Sequence, residues 1–292
     1  MTSPLDVTVR PYTAADEPAV LELVNADRIP GQPAASSAML AEALNGRSRV
    51  DASWWQDLET PQTQVAVNAA GNVVGVISYA IRPKDREGLI LWLHCRESPT
   101  VADALVSDAL TYFGPRTVHA FHIASALTMG LEALPVRHRP VTHDALNRAG
   151  FSGLDLWRYM RADLPARGLP QLTAVTIGPS TDDKDAQRLE VRERGKTIAE
   201  AVVGRPVEGI GVLWWIEVQP SARGRGLGRA MLGTAMEHLA TLGAAEVVLY
   251  VDDDAPPGNE RDRTAANSLY ESAGFLEVDR LYSYTRHSKG ER

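Results

Sequence analysis

The chain has 292 residues, 44% hydrophobic and 23% charged, with a formal net charge of −7. That balance excludes extensive disorder and argues against a general nucleic-acid binder, while leaving room for a cationic partner. No apolar run is long enough to cross a membrane, and residues 1–10, with Pro4 and Asp6, lack a signal-peptide core. No nucleic-acid or membrane partner and a cytoplasmic location are therefore expected. At this length two domains can each bury a core. The single cysteine, Cys95, sits in an apolar run and reads as a buried, inert thiol.

In chain order, residues 7–12 form a strand ending at Pro11. Thr13 or Asp16 can cap a helix whose apolar side carries Val20, Leu21, Leu23 and Val24. A second helix is expected over 35–44. Residues 64–67 and 73–80, joined across Ala70-Gly71-Asn72, read as a hairpin. Residues 89–95 form a strand, 101–113 a helix and 117–123 a strand. A short helix over 142–149 ends at Gly150-Phe151, and residues 156–161 close this half as a strand. Pro165, Gly168 and Pro170 mark a linker over 164–172.

The second half opens with strands over 173–177 and 187–194, which leaves no room for helices between them. Residues 213–218 are β-branched and aromatic, a buried strand stopped by Pro220. From Arg225 onward, Leu227, Met231, Leu232 and Met236 recur at helical spacing. Between strand and helix lies Arg223-Gly224-Arg225-Gly226-Leu227-Gly228, followed by Arg229. Glycines let a ligand approach the backbone, the first helical N–H groups lack partners, and arginine forks suit phosphate oxygens. A diphosphate site is the reading. It is no Walker loop, since no Gly-Lys-Ser/Thr follows, and it lacks the dinucleotide layout. After Gly243 come a strand over 246–252, a polar loop over 252–264, and a helix over 265–273 closed by Gly274-Phe275.

Two segments resemble signatures of the GNAT N-acyltransferase superfamily. Arg223, Gly226 and Gly228 fill Gln/Arg-x-x-Gly-x-Gly/Ala, and Leu269-Tyr270-Glu271-Ser272-Ala273-Gly274-Phe275 fills Leu-Tyr-x-x-x-Gly-Phe. The first half follows the same element order, and Asn147-Arg148-Ala149-Gly150-Phe151 echoes the second signature. It departs at Arg96-Glu97-Ser98-Pro99-Thr100-Val101, which has no glycine turn and places Glu97 where it would repel phosphate. The resemblance implies an α/β (α+β) fold of two tandem GNAT-like domains, each a mixed twisted sheet flanked by helices. Residues 1–163 would be a degenerate copy that does not bind CoA in the usual way, 164–172 the linker, and 173–292 the catalytic domain. The degenerate first half is expected to supply the acceptor wall that the second half lacks, making the acceptor pocket an inter-domain cleft; the resemblance to tandem acyltransferases such as mycothiol synthase, with a working C-terminal half, bears on the layout alone.

The implied activity moves the acetyl group of acetyl-CoA to a primary amine of a small molecule through a tetrahedral intermediate. An aminoglycoside-like or peptide antibiotic, or an amino sugar, would suit acidic walls. A non-catalytic acyl-CoA-binding module and a protein N-acetyltransferase are the alternatives. By resemblance, the Val218 amide polarises the acyl carbonyl, Tyr270 protonates the departing thiolate, and the segment from Arg223 to Arg229 (with Gly224, Arg225, Gly226, Leu227 and Gly228) holds the diphosphate. Glu217 is the first candidate base, with Glu208, Asp252 or a water chain as substitutes. Arg263 stands where the family often has an asparagine on the pantetheine, and the extended loop over 255–263 puts CoA contacts there in question. Trp214 and Trp215 read as packing residues, one of which could line the acceptor site. Asp252-Asp253-Asp254 could attract an amine. His119, His122, His138 and His143 match no zinc spacing, so no metal is expected.

Overall fold

In the computed structural model, residues 7–181, 185–252, 256 and 262–288 are described. Asp253 and Asp254, together with most of the loop over 255–263, lie outside them. The chain forms two compact units, residues 1–156 with 280–292, and residues 157–279. They do not follow a linear division at 163 and 173, because the final strand of each half is built into the other unit.

In the first unit β1 (Thr8–Pro11) leads through a single 3-10 turn into α1 (Glu17–Ala26). Asp16 fixes that entry, accepting two 2.8 Å bonds from Arg10 and further bonds from the Thr13 N–H and hydroxyl. The Arg10 guanidinium holds its carboxyl well below the usual range. Then come α2 (Ser37–Leu44), α3 (Ala52–Gln56), β2 (Gln62–Val67), β3 (Val73–Arg82) and β4 (Glu87–His94). Helix α3 was not legible in the sequence; its Trp55 is buried and donates its indole N–H to the Ala124 carbonyl at 2.9 Å. α4 (Pro99–Phe113), β5 (Val118–Ala120), β6 (Leu134–Pro135) and α5 (Pro140–Arg148) complete this stretch. The expected strand over 117–123 shrinks to three residues because Phe121 takes φ 59° and turns the chain away.

β7 (Ser152–Asp163) carries the chain into the second unit. There β8 (Thr176–Pro179), β9 (Ala186–Glu193), β10 (Lys196–Val207) and β11 (Ile210–Val218) form a meander. α6 (Leu227–Thr241), β12 (Glu246–Val251), α7 (Thr264–Ser272) and β13 (Leu276–Arg286) follow. Within the second unit β12 is parallel to β11 on one side and antiparallel to residues Arg158 to Asp163 of β7 on the other. Within the first unit Tyr284, Thr285 and Arg286 of β13 pair antiparallel with β5.

The second unit's core lies on one face of its sheet, where Met231, Leu232, Ala235, Met236 and Leu239 of α6 are buried against Leu189, Ala201, Leu213, Val247 and Leu249. At roughly 1.5–3 kcal/mol per fully buried large side chain, this stripe anchors the helix whose first turn faces the candidate site. Between β7 and β8 the chain crosses α6 closely. A Cβ at Gly233 would stand 2.3 Å from the Pro170 carbonyl oxygen, and the Leu172 N–H donates to Thr234 Oγ1 at 2.9 Å.

Candidate active site

Strands β11 and β12 pair only at Ile210, Gly211 and Val212, opposite Glu246, Val247 and Val248. Beyond that point both continue, β11 to Val218 and β12 to Val251, without bonding to each other. Two diverging parallel strands leave a wedge between them, with backbone groups on both edges that no sheet neighbour uses. A cavity of about 730 Å³ occupies the wedge, bounded by residues Leu213 to Val218 on one side and Leu249 to Asp252 on the other. That is the size of an ordinary small-molecule site.

The glycine loop follows the end of β11, and its first residue, Arg223, lines the cavity. Gly224 and Gly226 adopt φ 75° and 76°, and a Cβ at either would find nothing within 4 Å. The space over this turn is open because the residues there have no side chains. Gly226 is the residue before α6, so the helix starts at Leu227 rather than at Arg225. The first intrahelical bond runs from the Ala230 N–H to the Gly226 carbonyl, which leaves the amides of Leu227, Gly228 and Arg229 without an intrahelical acceptor. An anion placed here meets free N–H groups and the positive helix end. A Cβ at Gly228 would stand 3.7 Å from Leu269 and 3.8 Å from Val218, ordinary contact distances. The three arginines are each engaged. Arg223 lines the wedge and donates to the Val218 carbonyl at 3.1 Å, Arg225 reaches Glu193, and Arg229 donates to Ser272 Oγ at 2.8 Å. The Arg225 and Arg229 contacts are exposed, so a phosphate could exchange with them at little cost.

Tyr270 comes from α7 and lies across the wedge, 7% exposed and edge-on to Phe275 at 5.7 Å. Its hydroxyl makes no hydrogen bond with a described residue, and burial pushes the phenol up to about 12, against the pull of Arg263. The phenol therefore carries its proton at neutral pH, and at about 12 it is a weaker acid than a free phenol. Val218 and Glu217 both line the cavity, as do Asp252 and Arg263. Glu217 has no hydrogen bond or ion pair with a described residue, and its strand partner is another glutamate, Glu200. Glu208 sits in the turn between β10 and β11 at φ 51°. It is nine residues back along the strand, about 30 Å away, and so stands apart from the wedge.

Aromatic side chains make up the wall opposite the α6 face. Trp214 lies nearly parallel to Tyr250, 15° between planes with centroids 6.2 Å apart, and Tyr250 meets Trp157 edge-on at 6.4 Å. Gly204 on β10 makes room for Trp214, whose indole nitrogen would stand 2.7 Å from a Cβ there. Trp215 borders the same cavity and is 51% exposed. Both tryptophans therefore line the site rather than one. Trp157 and Tyr250 were not singled out from sequence, since only the pairing of β7 with β12 brings them together. The signal available was Tyr250 alternating with Val248 along its strand.

His119, His122, His138 and His143 lie in the first unit. His119 bonds to Glu87 at 2.8 Å and Thr285 at 3.1 Å, His122 to the Tyr284 carbonyl, and His143 to the Tyr284 hydroxyl. Cys95 is 1% exposed, with its thiol pushed up by burial. Among the described residues no group of three or more His, Cys, Asp or Glu is arranged to hold a metal ion.

Residues 156–275 match the model of the acetyltransferase (GNAT) family, and this stretch is a GNAT-family acetyltransferase domain. A mycothiol acetyltransferase of Renibacterium salmoninarum is 37% identical over 79 residues, which cover 26% of this chain and 21% of that relative. The chain thus matches only about a fifth of that relative's length. Across the whole chain, the structure is similar to a tandem GNAT protein from the clavulanic acid biosynthesis pathway (TM-score 0.66, 15% identity, 98% of this chain and all of that one). A GCN5-related N-acetyltransferase from Sphaerobacter thermophilus gives TM-score 0.59 at 16% identity over 96% of this chain and 95% of its own. Those likenesses show the tandem GNAT fold.

Proposed function

We propose that the protein is an N-acetyltransferase that moves the acetyl group of acetyl-CoA to a primary amine of a small molecule, with the chemistry in the second unit. The observation that carries this is the β11–β12 wedge, which has a glycine-lined helix start following β11 and a buried phenol beside it. The residues fit CoA. Amides at the start of α6 and the nearby arginines suit a diphosphate, and the wedge gives a pantetheine arm an edge of unpaired backbone. When bound, acetyl-CoA supplies the thioester carbonyl.

Around that carbonyl the Val218 amide polarises the oxygen and stabilises the charge that develops on it. The amine nitrogen forms its bond to carbon and the carbon–sulfur bond breaks. Glu217 accepts the amine's proton, directly or through a water. Tyr270, which carries its proton at neutral pH, gives it to the leaving sulfur. Trp157, Trp214, Trp215 and Tyr250 offer the acceptor a flat apolar wall, and Glu217 and Asp252 favour a cationic amine. In the first unit the β4–α4 connection has no glycine loop. Glu97 instead accepts from the Val141 and Thr142 amides at the start of α5 and pairs with Arg139. The absence of a glycine loop at the start of α4 supports a non-catalytic role for this unit.

The test is thiol release from acetyl-CoA across a panel of small primary amines, paired with calorimetric titration of CoA. Amine-dependent release together with CoA binding is expected. Binding without release under any amine would leave a non-catalytic acyl-CoA module, and no binding would remove the site altogether.

A further inference from the structure

Strands β4 and β5 of the first unit part just as β11 and β12 do. They pair at Gly88, Leu89 and Ile90, and β4 then runs on to His94 while Phe121 turns the other chain aside. Here the wedge is a small cavity of about 60 Å³, walled by Val24, Ile29, Leu91, Ile123, Leu127 and Leu134. Trp92 borders it and is 3% exposed, yet its indole N–H has no acceptor among the described residues. A buried donor left unmade costs about 1–3 kcal/mol, so something should answer it.

The buried polar side chains of the wall are otherwise engaged. Gln32 accepts from the Met129 N–H at 2.8 Å and Ser125 Oγ from the Leu127 N–H at 3.3 Å. Arg139 lies against Asp27 and Glu97 and donates to the Leu93 carbonyl. Asp27 also takes the His94 ring and the Cys95 amide. In the buried part of the wall one arginine between two carboxylates leaves no surplus positive charge for an anion; the second arginine, Arg28, is exposed and donates to the Gln32 carbonyl at 3.4 Å, and burial pushes the His94 imidazole down. A buried water needs two to four polar partners, and the space would hold several waters at about 10–15 Å³ each against side chains that are mostly apolar. A row of waters is therefore poorly served. An apolar body bearing one acceptor is well served.

We propose that this cavity is a second small-molecule site, taking a short aliphatic compound whose neutral carbonyl oxygen accepts from the Trp92 indole. It does not depend on acetyl transfer in the other unit. The test uses the full chain with ¹⁵N-labelled tryptophan, butyramide as the probe and butyrate as its charged counterpart. Trp92→Phe identifies the indole cross-peak by its loss. Saturable movement of that peak with butyramide and none with butyrate is expected, with affinity falling at least about tenfold in Trp92→Phe by calorimetry. Leu127→Phe, which fills the void and keeps the indole, should also abolish the movement while the protein still melts cooperatively. An unmoved peak, equal affinity in Trp92→Phe, or density showing water alone in a butyramide-soaked crystal would overturn the proposal.

Discussion

Two glycine-to-alanine changes separate binding from folding in the second unit. At Gly226 a Cβ meets nothing within 4 Å, so the folded chain bears only the strain of φ 76°. That is about 1–2 kcal/mol, worth a few degrees of melting temperature. The methyl group would, however, stand over the turn where the diphosphate is placed. CoA affinity should therefore fall at least about tenfold, or about 1.4 kcal/mol. At Gly233 the balance reverses. Alanine gains about 1 kcal/mol of helix propensity, but its Cβ stands 2.3 Å from the Pro170 oxygen and 2.9 Å from Leu169 Cβ. Backbone cannot yield as a flexible side chain can, so overpacking of about 1–3 kcal/mol should win and the protein should melt earlier. Its CoA affinity should be unchanged. Thermal unfolding and CoA calorimetry on both variants decide the matter. Undiminished affinity in Gly226→Ala removes the loop from the CoA site, and a stabilised Gly233→Ala shows that the crossing segment is not seated on α6.

Three further outcomes follow from the same geometry. Tyr270→Phe should lower kcat by about 10²–10⁴ with CoA affinity unchanged, and undiminished turnover would remove the phenol as the acid. Arg139→Met should destabilise by about 3–5 kcal/mol in denaturant unfolding, because Asp27 and Glu97 lose their buried counter-ion; a cost under about 1 kcal/mol would contradict that pairing. Burial and Asp51 push the Glu132 carboxyl up to about 7. Its folded form holds a proton that the unfolded chain releases at about 4.3, so its favourable contribution is present at pH 4 and is lost as pH rises through 7. Glu132→Gln should therefore raise the melting temperature at pH 8 and leave it unchanged at pH 4. Equal shifts at both pH values would refute that assignment.

Much of the second unit was legible because its signals are local. Pro220 stops a strand, Gly226 precedes a helix, and Gly274 follows α7 at φ 93°. Each acts within a few residues and leaves a mark in sequence order. What stayed hidden depends on pairing between distant segments. Trp157 joins Tyr250 only because β7 lies beside β12, and nothing in residues 157–163 states that partner. The occupants of the arginines were equally invisible, since Glu193 and Ser272 lie far from the loop in sequence. Helix α3 escaped because five residues carry too little periodicity to register, while Trp55 is held by a carbonyl 69 positions away.

The exchange of final strands has a consequence for synthesis. Unit one cannot finish its sheet when residue 156 emerges, because the neighbour of β5 is Tyr284 to Arg286. At about 5–20 residues per second, the ribosome leaves that edge bare for on the order of ten seconds. An edge of only three residues gives other chains little to pair with in the interval. The same dependence means that neither half, cut at the linker and produced alone, would carry all the strands its own fold requires.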